Sequence, residues 1–228
     1  MNSPMPVFLL DNSLIFPDPK YAEPNGLLAV GGDLRAERLL LAYQNGIFPW
    51  YSEGSPILWF SPDPRLVLML DEFKISTSLR KIIKSNTFGV KFDTCFTQVI
   101  VQCAMTKRKG QDGTWITDDM IEAYIKLHRE GYAHSVETFH EEILVGGLYG
   151  VSLGGAFFGE SMFHTRSNAS KVALYNLVQK LRSMDFDFID SQVSTEHSKS
   201  FGAKEIGRDS FLSMLGRTLR KETIIGKW

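Results

Sequence analysis

Ser135-Val136-Glu137-Thr138-Phe139, Ile143-Leu144-Val145-Gly146-Gly147-Leu148-Tyr149-Gly150-Val151 and Ala156-Phe157-Phe158-Gly159-Glu160-Ser161-Met162-Phe163 are three apolar or alternating runs following one another in the chain. Glu141-Glu142 and Leu153-Gly154-Gly155 separate them. Short runs broken by turn residues read as strands of an antiparallel meander. The period then changes. From Asn168 onward Leu174, Leu177, Val178 and Leu181 recur at helical spacing. Phe186-Asp187-Phe188-Ile189-Asp190-Ser191-Gln192-Val193 returns to a strand pattern.

Helical patterns flank this block. One helix is predicted from about Leu34 to Asn45, with Gly46 as its stop. Ser76 to Ser85 carries Leu79, Ile82 and Ile83 on one face, with Arg80, Lys81 and Lys84 off it. Phe96, Val99, Ile100 and Cys103 form a third face, and Ile121, Tyr124, Ile125 and His128 a fourth, capped by Thr117 or Asp118 and stopped by Gly131. After the last strand a helix around His197–Gly202 and a final α-β tail are expected. Helices, a three-strand meander, helix, strand, helix is an α+β arrangement, and it is the element order of the GNAT-type acyltransferase fold. Other α+β domains share that order, so it does not name an activity.

All nine prolines lie at or before Pro64. That shift divides the chain into a small, irregular, Pro-rich amino-terminal lobe, 1–62, and a larger GNAT-like catalytic domain, 63–228. Gly31-Gly32 is followed by no Gly-Lys-Ser/Thr, so it reads as a plain turn into a helix capped by Asp33.

Composition narrows the class. The chain has 228 residues, 43% of them hydrophobic, which is ample for a core. At ~150 residues per domain it holds one domain or two small ones. The first Lys is at position 20, so a basic secretory n-region is not expected. The longest uncharged run, Ile143 to Gly159, is 17 residues with six glycines. A membrane-crossing helix needs ~20 mostly apolar residues. Cys95 and Cys103 lie in a helical pattern where a disulfide fits badly. A soluble protein of a reducing compartment is expected. Charge is uneven: Lys74 to Lys109 holds eight basic residues and one acidic, +7 in a chain of net −1. Such a segment is a phosphate-backbone footprint or a solvated helix face, and charge alone leaves both open.

Few residues stand out as chemical. With a side-chain period of two, Asp190 and Gln192 share a strand face, ~6.6 Å apart. Polar groups on so apolar a strand need buried partners or a wet cleft. Glu160 raises the same question at the end of its run, beside the loop leading to the Asn168 helix. Trp115 follows the Lys107–Lys109 cluster, where an aromatic can stack on a base. Trp59, in a Pro-rich connector, reads as a core plug. His134 and His140 read as ordinary polar positions, and no metal-ligand spacing appears among the histidines and cysteines. Gly-x-Ser-x-Gly, Walker and dinucleotide fingerprints are absent.

Taken together, several segments resemble a known family. They are Glu23-Pro24-Asn25-Gly26-Leu27-Leu28-Ala29, Gly31-Gly32-Asp33-Leu34, Gly46-Ile47-Phe48-Pro49-Trp50 and Trp59-Phe60-Ser61-Pro62-Asp63-Pro64-Arg65. Further on come Gly113-Thr114-Trp115-Ile116-Thr117, Gly159-Glu160-Ser161-Met162-Phe163, Asn168-Ala169-Ser170-Lys171 and Ile189-Asp190-Ser191-Gln192. In this order, from about residue 14 to 212, they are similar to leucyl/phenylalanyl-tRNA–protein transferase. The resemblance implies transfer of Leu or Phe, and Met more weakly, from aminoacyl-tRNA to the α-amine of proteins beginning with Arg or Lys. It implies a bacterial cytoplasmic protein whose products are marked for N-end-rule degradation. It places Asp190, Gln192 and Glu160 at the reaction centre, and Trp50 and Trp115 against the tRNA 3′-adenosine. Phe157, Met162, Leu174 and Ile189 would take the amino-acid side chain, and Arg80, Lys81 and Lys84 the tRNA backbone. Thr77 stands where relatives often have Arg, and Ser191 where Cys can occur; by strand alternation Ser191 should point away from Asp190.

The donor is an activated ester, so the reaction needs no ATP, metal or acyl-CoA, and no cofactor is expected. A glutamine amide is too weak a base to ionise an amine, so Gln192 is expected to aim it, with a carboxylate, water or ribose hydroxyl taking the proton. Two other readings compete. A small-molecule GNAT acetyltransferase is disfavoured by the loop His164–Lys171, which lacks the glycine that cradles pyrophosphate. A non-catalytic tRNA-binding module needs only the basic segment, and leaves the Asp190–Gln192 pair without a role.

Overall fold

Proline and glycine turns cut the first sixty residues into short elements. In the computed structural model, which describes residues 7–106 and 114–228, these are β1 (Phe8–Leu10), β2 (Leu27–Gly31), α1 (Ala36–Gln44), β3 (Phe48–Pro49) and β4 (Leu58–Phe60). The strands make a four-stranded sheet in the order β1-β2-β4-β3. Trp59 of β4 is fully buried, its indole N–H donating to the Gly31 carbonyl at 2.9 Å, so the plug reading of this residue stands.

Beyond Pro64 the chain builds β5 (Arg65–Met69), α2 (Thr77–Lys84), β6 (Gly89–Phe92), α3 (Phe96–Met105) and α4 (Asp118–Arg129). The meander follows as β7 (Ala133–His140), β8 (Ile143–Leu153) and β9 (Ala156–His164), then α5 (Ala169–Ser183) and β10 (Phe188–Gln192). The end of the chain forms α6 (Glu196–Ser200), β11 (Lys204–Ile206) and α7 (Arg208–Thr218). Seven strands form one mixed sheet, β11-β5-β10-β9-β8-β7-β6. The caps explain the helix starts: Ser76 Oγ accepts from the Leu79 N–H at 3.1 Å, and Thr117 Oγ1 from the Met120 N–H at 3.3 Å. Each satisfies an orphan donor of the first turn.

Side chains of β9 alternate between two apolar clusters. Phe158 joins Tyr149 and Phe211 in a cluster that continues into Leu28, Leu39 and Trp59 of the first sheet. Phe157 joins Leu148, Leu174, Leu177 and Ile189 in the cluster under α5. The first cluster crosses the division near residue 62, so the small sheet and one face of the large one share buried surface.

One feature of the sheet makes the site. β9 and β10 run parallel and pair only as Phe188↔Ala156, Ile189↔Phe157 and Asp190↔Phe158. Beyond that point β9 continues to His164 paired with β8, while Gln192 turns away with φ +53°. The two strands part, leaving a wedge between them.

Several expectations need correction. The tail runs strand before helix, because β11 pairs with β5 at the sheet edge. Asp33 does not cap α1; it lies two residues before the N-cap, Arg35, whose N–H its Oδ1 accepts at 3.0 Å. β5 and β6 have no counterpart in the sequence reading. His134 is no ordinary polar position: it is 1% exposed and its Nδ1 lies 2.8 Å from Asp93 Oδ2.

Candidate active site

The wedge is walled by two bulges. On β9, Gly159 pairs with Gly150 and Ser161 with Tyr149, so Glu160 is the extra residue. On β10, Asp190 pairs with Val67 and Gln192 with Leu66, so Ser191 is the extra one. A bulge breaks alternation and re-aims the side chains beside it. Ser191, expected to face away, therefore lines the wedge beside Gln192.

Glu160 is the hub. The Tyr43 hydroxyl donates to its Oε1 at 2.8 Å, the Tyr124 hydroxyl to its Oε2 at 3.1 Å, and Gln192 Nε2 to Oε1 at 3.2 Å. The two tyrosine hydroxyls are also bonded to each other. Four elements, α1, α4, β9 and the end of β10, thus meet on one carboxyl group. Burial pushes its pKa up from the ordinary 4.5 to about 7, against the opposing pull of the two tyrosines. Burial first, and then the Glu160 charge, holds both phenols well above their ordinary value, so they remain donors. With both hydroxyl protons given to the Glu160 oxygens, neither is left for the Tyr43–Tyr124 contact; burial, and not these tyrosines, is what raises the Glu160 pKa.

Asp190 takes a different place from the one expected. It is fully buried, with Arg65 Nε on Oδ1 at 2.9 Å and Arg65 Nη2 on Oδ2 at 2.6 Å. Its Oδ1 also accepts the Gln192 N–H at 2.9 Å. The guanidinium is pinned in turn: Nη1 donates to the Gly46 carbonyl at 3.0 Å, and the Phe48 and Phe211 rings lie 4.9 and 4.6 Å away. The Asp190 carboxylate lines neither of the cavities that open at the wedge. It holds the backbone from which the Gln192 amide projects.

Two cavities meet at Glu160 and Gln192. The first, about 280 Å³, is walled by Phe157, Met162, Leu174 and Ile189, all four of the expected side-chain pocket residues. The second, about 260 Å³, is bounded by Phe48, Trp50 and Val193. Trp115 lines both. Arg80 and Lys84 stand apart, lining a cavity of about 370 Å³ between α2 and α5 together with Arg182, while Lys81 is exposed on the same helix. The Lys107–Lys109 cluster and Gly113 lie outside the described residues. No group of three or more His, Cys, Asp or Glu among the described residues could hold a metal ion.

Tyr43, Tyr124 and Arg65 escaped the sequence reading. Tyr124 carried a signal, since a tyrosine at a buried helical position needs a partner for its hydroxyl. Nothing local pointed to Tyr43 or Arg65, whose side-chain partners Tyr124, Glu160 and Asp190 lie 81 to 125 residues away.

The arrangement suits a reaction in which a neutral amine is aimed at an activated carbonyl beside an apolar pocket. Comparison with known proteins accords with it. A family model described as leucyl/phenylalanyl-tRNA protein transferase matches residues 67–216, and the model of that family's N-terminal domain matches 32–63. The leucyl/phenylalanyl-tRNA–protein transferase of Syntrophobacter fumaroxidans is 58% identical over 94% of this chain and 92% of its own. That of Anaeromyxobacter sp. strain Fw109-5 is 55% identical over 98% of this chain and 95% of its own. Among solved structures, L-PGS from Bacillus licheniformis aligns with a TM-score of 0.40 at 14% identity, over 74% of this chain and 53% of that one, a likeness too distant to weigh. With family models across most of its length and relatives above half identity, the chain belongs to the leucyl/phenylalanyl-tRNA–protein transferases, aminoacyl-tRNA-dependent aminoacyltransferases.

Proposed function

We propose that the protein moves Leu or Phe, and Met more weakly, from aminoacyl-tRNA to the α-amine of proteins beginning with Arg or Lys. The product is marked for N-end-rule degradation in the cytoplasm. The observation that carries this reading is the junction of two cavities at Glu160 and Gln192. The apolar cavity takes the amino-acid side chain, the Trp50–Trp115 cavity takes the 3′-adenosine, and the ester joining them falls beside the two polar residues.

The acceptor arrives as an ammonium with a reference pKa of about 7.7–8.0. One proton must leave before its lone pair can attack. Glu160, ionising near pH 7, is matched to receive it. The Gln192 amide, held by the Asp190–Arg65 pair, aims the nitrogen at the ester carbon. Attack forms the C–N bond and breaks the bond from that carbon to the tRNA 3′-oxygen. The second amine proton goes to that oxygen, and the proton held by Glu160 returns to solvent. The balance is ester plus amine to amide plus alcohol, so the reaction calls for no cofactor and no ATP. Arg80, Lys81 and Lys84 would meet tRNA phosphates.

Phe-tRNA incubated with peptides differing only in an N-terminal Arg, Lys or Ala, followed by mass measurement, tests the proposal. A gain of one Phe residue on the Arg and Lys peptides alone is expected. Equal gain on the Ala peptide would overturn the acceptor specificity, and no gain on any would overturn the whole reading.

A further inference from the structure

Trp228 lines no part of the apolar cavity, yet it touches the cavity wall from behind. Phe157 is fully buried and forms part of that wall. Its ring lies across Gly150 of β8, where an added Cβ would come within 2.5 Å of Phe157 Cε1 and 2.2 Å of the Phe158 carbonyl oxygen. Only glycine leaves the ring this seat. The Trp228 ring meets the Phe157 ring at a centroid distance of 5.8 Å, inclined by 45°. Phe157 is thus held between the β8 backbone and an indole.

The indole is itself anchored. It stacks on His134 at 3.9 Å, only 11° from parallel, and meets Phe186 edge-on at 5.8 Å. The backbone N–H of Trp228 donates to Asp93 Oδ2 at 3.0 Å, and Asp93 is tied to His134 Nδ1 and to the Ser135 N–H, each at 2.8 Å. Two residues earlier, the Gly226 N–H donates to the Gly131 carbonyl at 3.2 Å. A buried carboxylate, a strand and a turn therefore hold in place a ring that meets Phe157 of the cavity wall.

We propose that Trp228 is a positioning residue that sets the depth of the donor side-chain pocket by holding Phe157 in place. This rests on reading the 280 Å³ cavity as the pocket for the donor side chain. A backed Phe157 keeps the pocket short enough to grip Leu. An unbacked one can swing away, and the shorter Leu side chain is then released from the wall before Phe is. In a close-packed wall, space opened behind a side chain is felt in front of it.

The test compares single-turnover transfer from Leu-tRNA and Phe-tRNA for the unmodified protein, Trp228→Ala and Trp228→Phe. Trp228→Ala should slow Leu about tenfold and Phe much less, the scale of one methylene's worth of packing. Trp228→Phe should restore the unmodified ratio. A ratio that stays constant while both rates fall together would assign Trp228 a merely structural role and overturn the proposal. Transfer of neither donor by the unmodified protein would instead overturn the functional reading beneath it. Should the alanine variant fail to fold, the unmodified sequence labelled with 5-fluorotryptophan decides, its Trp228 fluorine signal assigned by Trp228→Phe. That signal should move on adding a non-hydrolysable phenylalanyl-adenosine and less with the leucyl compound. A Trp228 signal unmoved while that of Trp115 shifts would overturn the coupling through Phe157.

Discussion

Gln192 Nε2 donates to Glu160 Oε1 at 3.2 Å across the wedge where β9 and β10 part. One residue is the extra member of a bulge and the other follows a bulge in the left-handed region. The register of the paired part, Ile189↔Phe157 and Asp190↔Phe158, carried on would set Gln192 opposite Glu160, and the two side chains keep that relation by a hydrogen bond after the backbone ladder has ended.

Replacing Asp190 with Ala leaves the Arg65 guanidinium buried and unpaired. Denaturant unfolding should show a loss of about 3–5 kcal/mol. Replacing both partners, Arg65→Met with Asp190→Leu, should recover much of that stability but little transfer, because the Gln192 N–H is left without its acceptor. Recovery of transfer along with stability would remove the pair from the positioning of Gln192.

Stability should depend on pH through Glu160. Its folded pKa is raised from 4.5 to about 7, so the folded state binds more protons over that window. The group's unfavourable contribution is therefore absent below about pH 4.5, grows as pH rises and is complete above about pH 7. The full swing is about 3 kcal/mol. Melting curves of Glu160→Gln should lack this decline between about pH 4.5 and 7. A variant that keeps the unmodified pH dependence would show that another group titrates there.

Tyr43→Phe and Tyr124→Phe each remove a donor to the Glu160 carboxylate. Loss of a hydrogen bond to a charged group should raise its pKa further, by roughly one unit. The acid limb of kcat/KM should move to higher pH by the same amount in each variant. A shift to lower pH would contradict donation by the two hydroxyls to the carboxylate.

Donor choice should reflect the mouth of the apolar cavity. Ile and Val branch at Cβ, beside the ester, whereas Leu and Phe branch beyond it. Charged onto one tRNA body, Ile and Val should transfer far more slowly than Leu, by a clash that displaces the ester carbon. Met162→Ala should narrow that gap while slowing Leu. Equal single-turnover rates for Ile and Leu in the unmodified protein would rule out a narrow mouth.

Arg80→Ala with Lys84→Ala should weaken every tRNA alike. The log–log salt slope should flatten by up to about 0.9 for each duplex phosphate no longer neutralised. Filter-binding titrations at several salt concentrations measure it, and an unchanged slope would make these residues a solvated helix face.

Local pattern carried the helices and the meander. Ser76 and Thr117 announce their helices by hydrogen bonds within three residues, and β7 to β9 alternate or run apolar between strong turn residues. β5 and β6 stayed hidden, five and four residues long, each identified as a strand by a neighbour more than forty residues later in the chain. His134 was misread because its partner Asp93 is 41 residues away.

The sequence by itself determined which residues are polar among apolar ones, and Glu160, Asp190 and Gln192 could be picked out on that ground. The apolar wall of Phe157, Met162, Leu174 and Ile189 came from the resemblance to a known family and not from side-chain periods, since 157 and 162 share a face only through the bulge at Glu160. The tertiary structure alone decided their division of labour. Period-two geometry put Asp190 and Gln192 side by side in one cleft; the bulge at Ser191 and the Arg65 guanidinium instead bury the carboxylate and leave the amide at the cavity. Bulges and ion pairs depend on which strand lies alongside, a relation set by sheet register and by contacts more than a hundred residues apart. A side-chain period describes one strand at a time and holds no information about its neighbour.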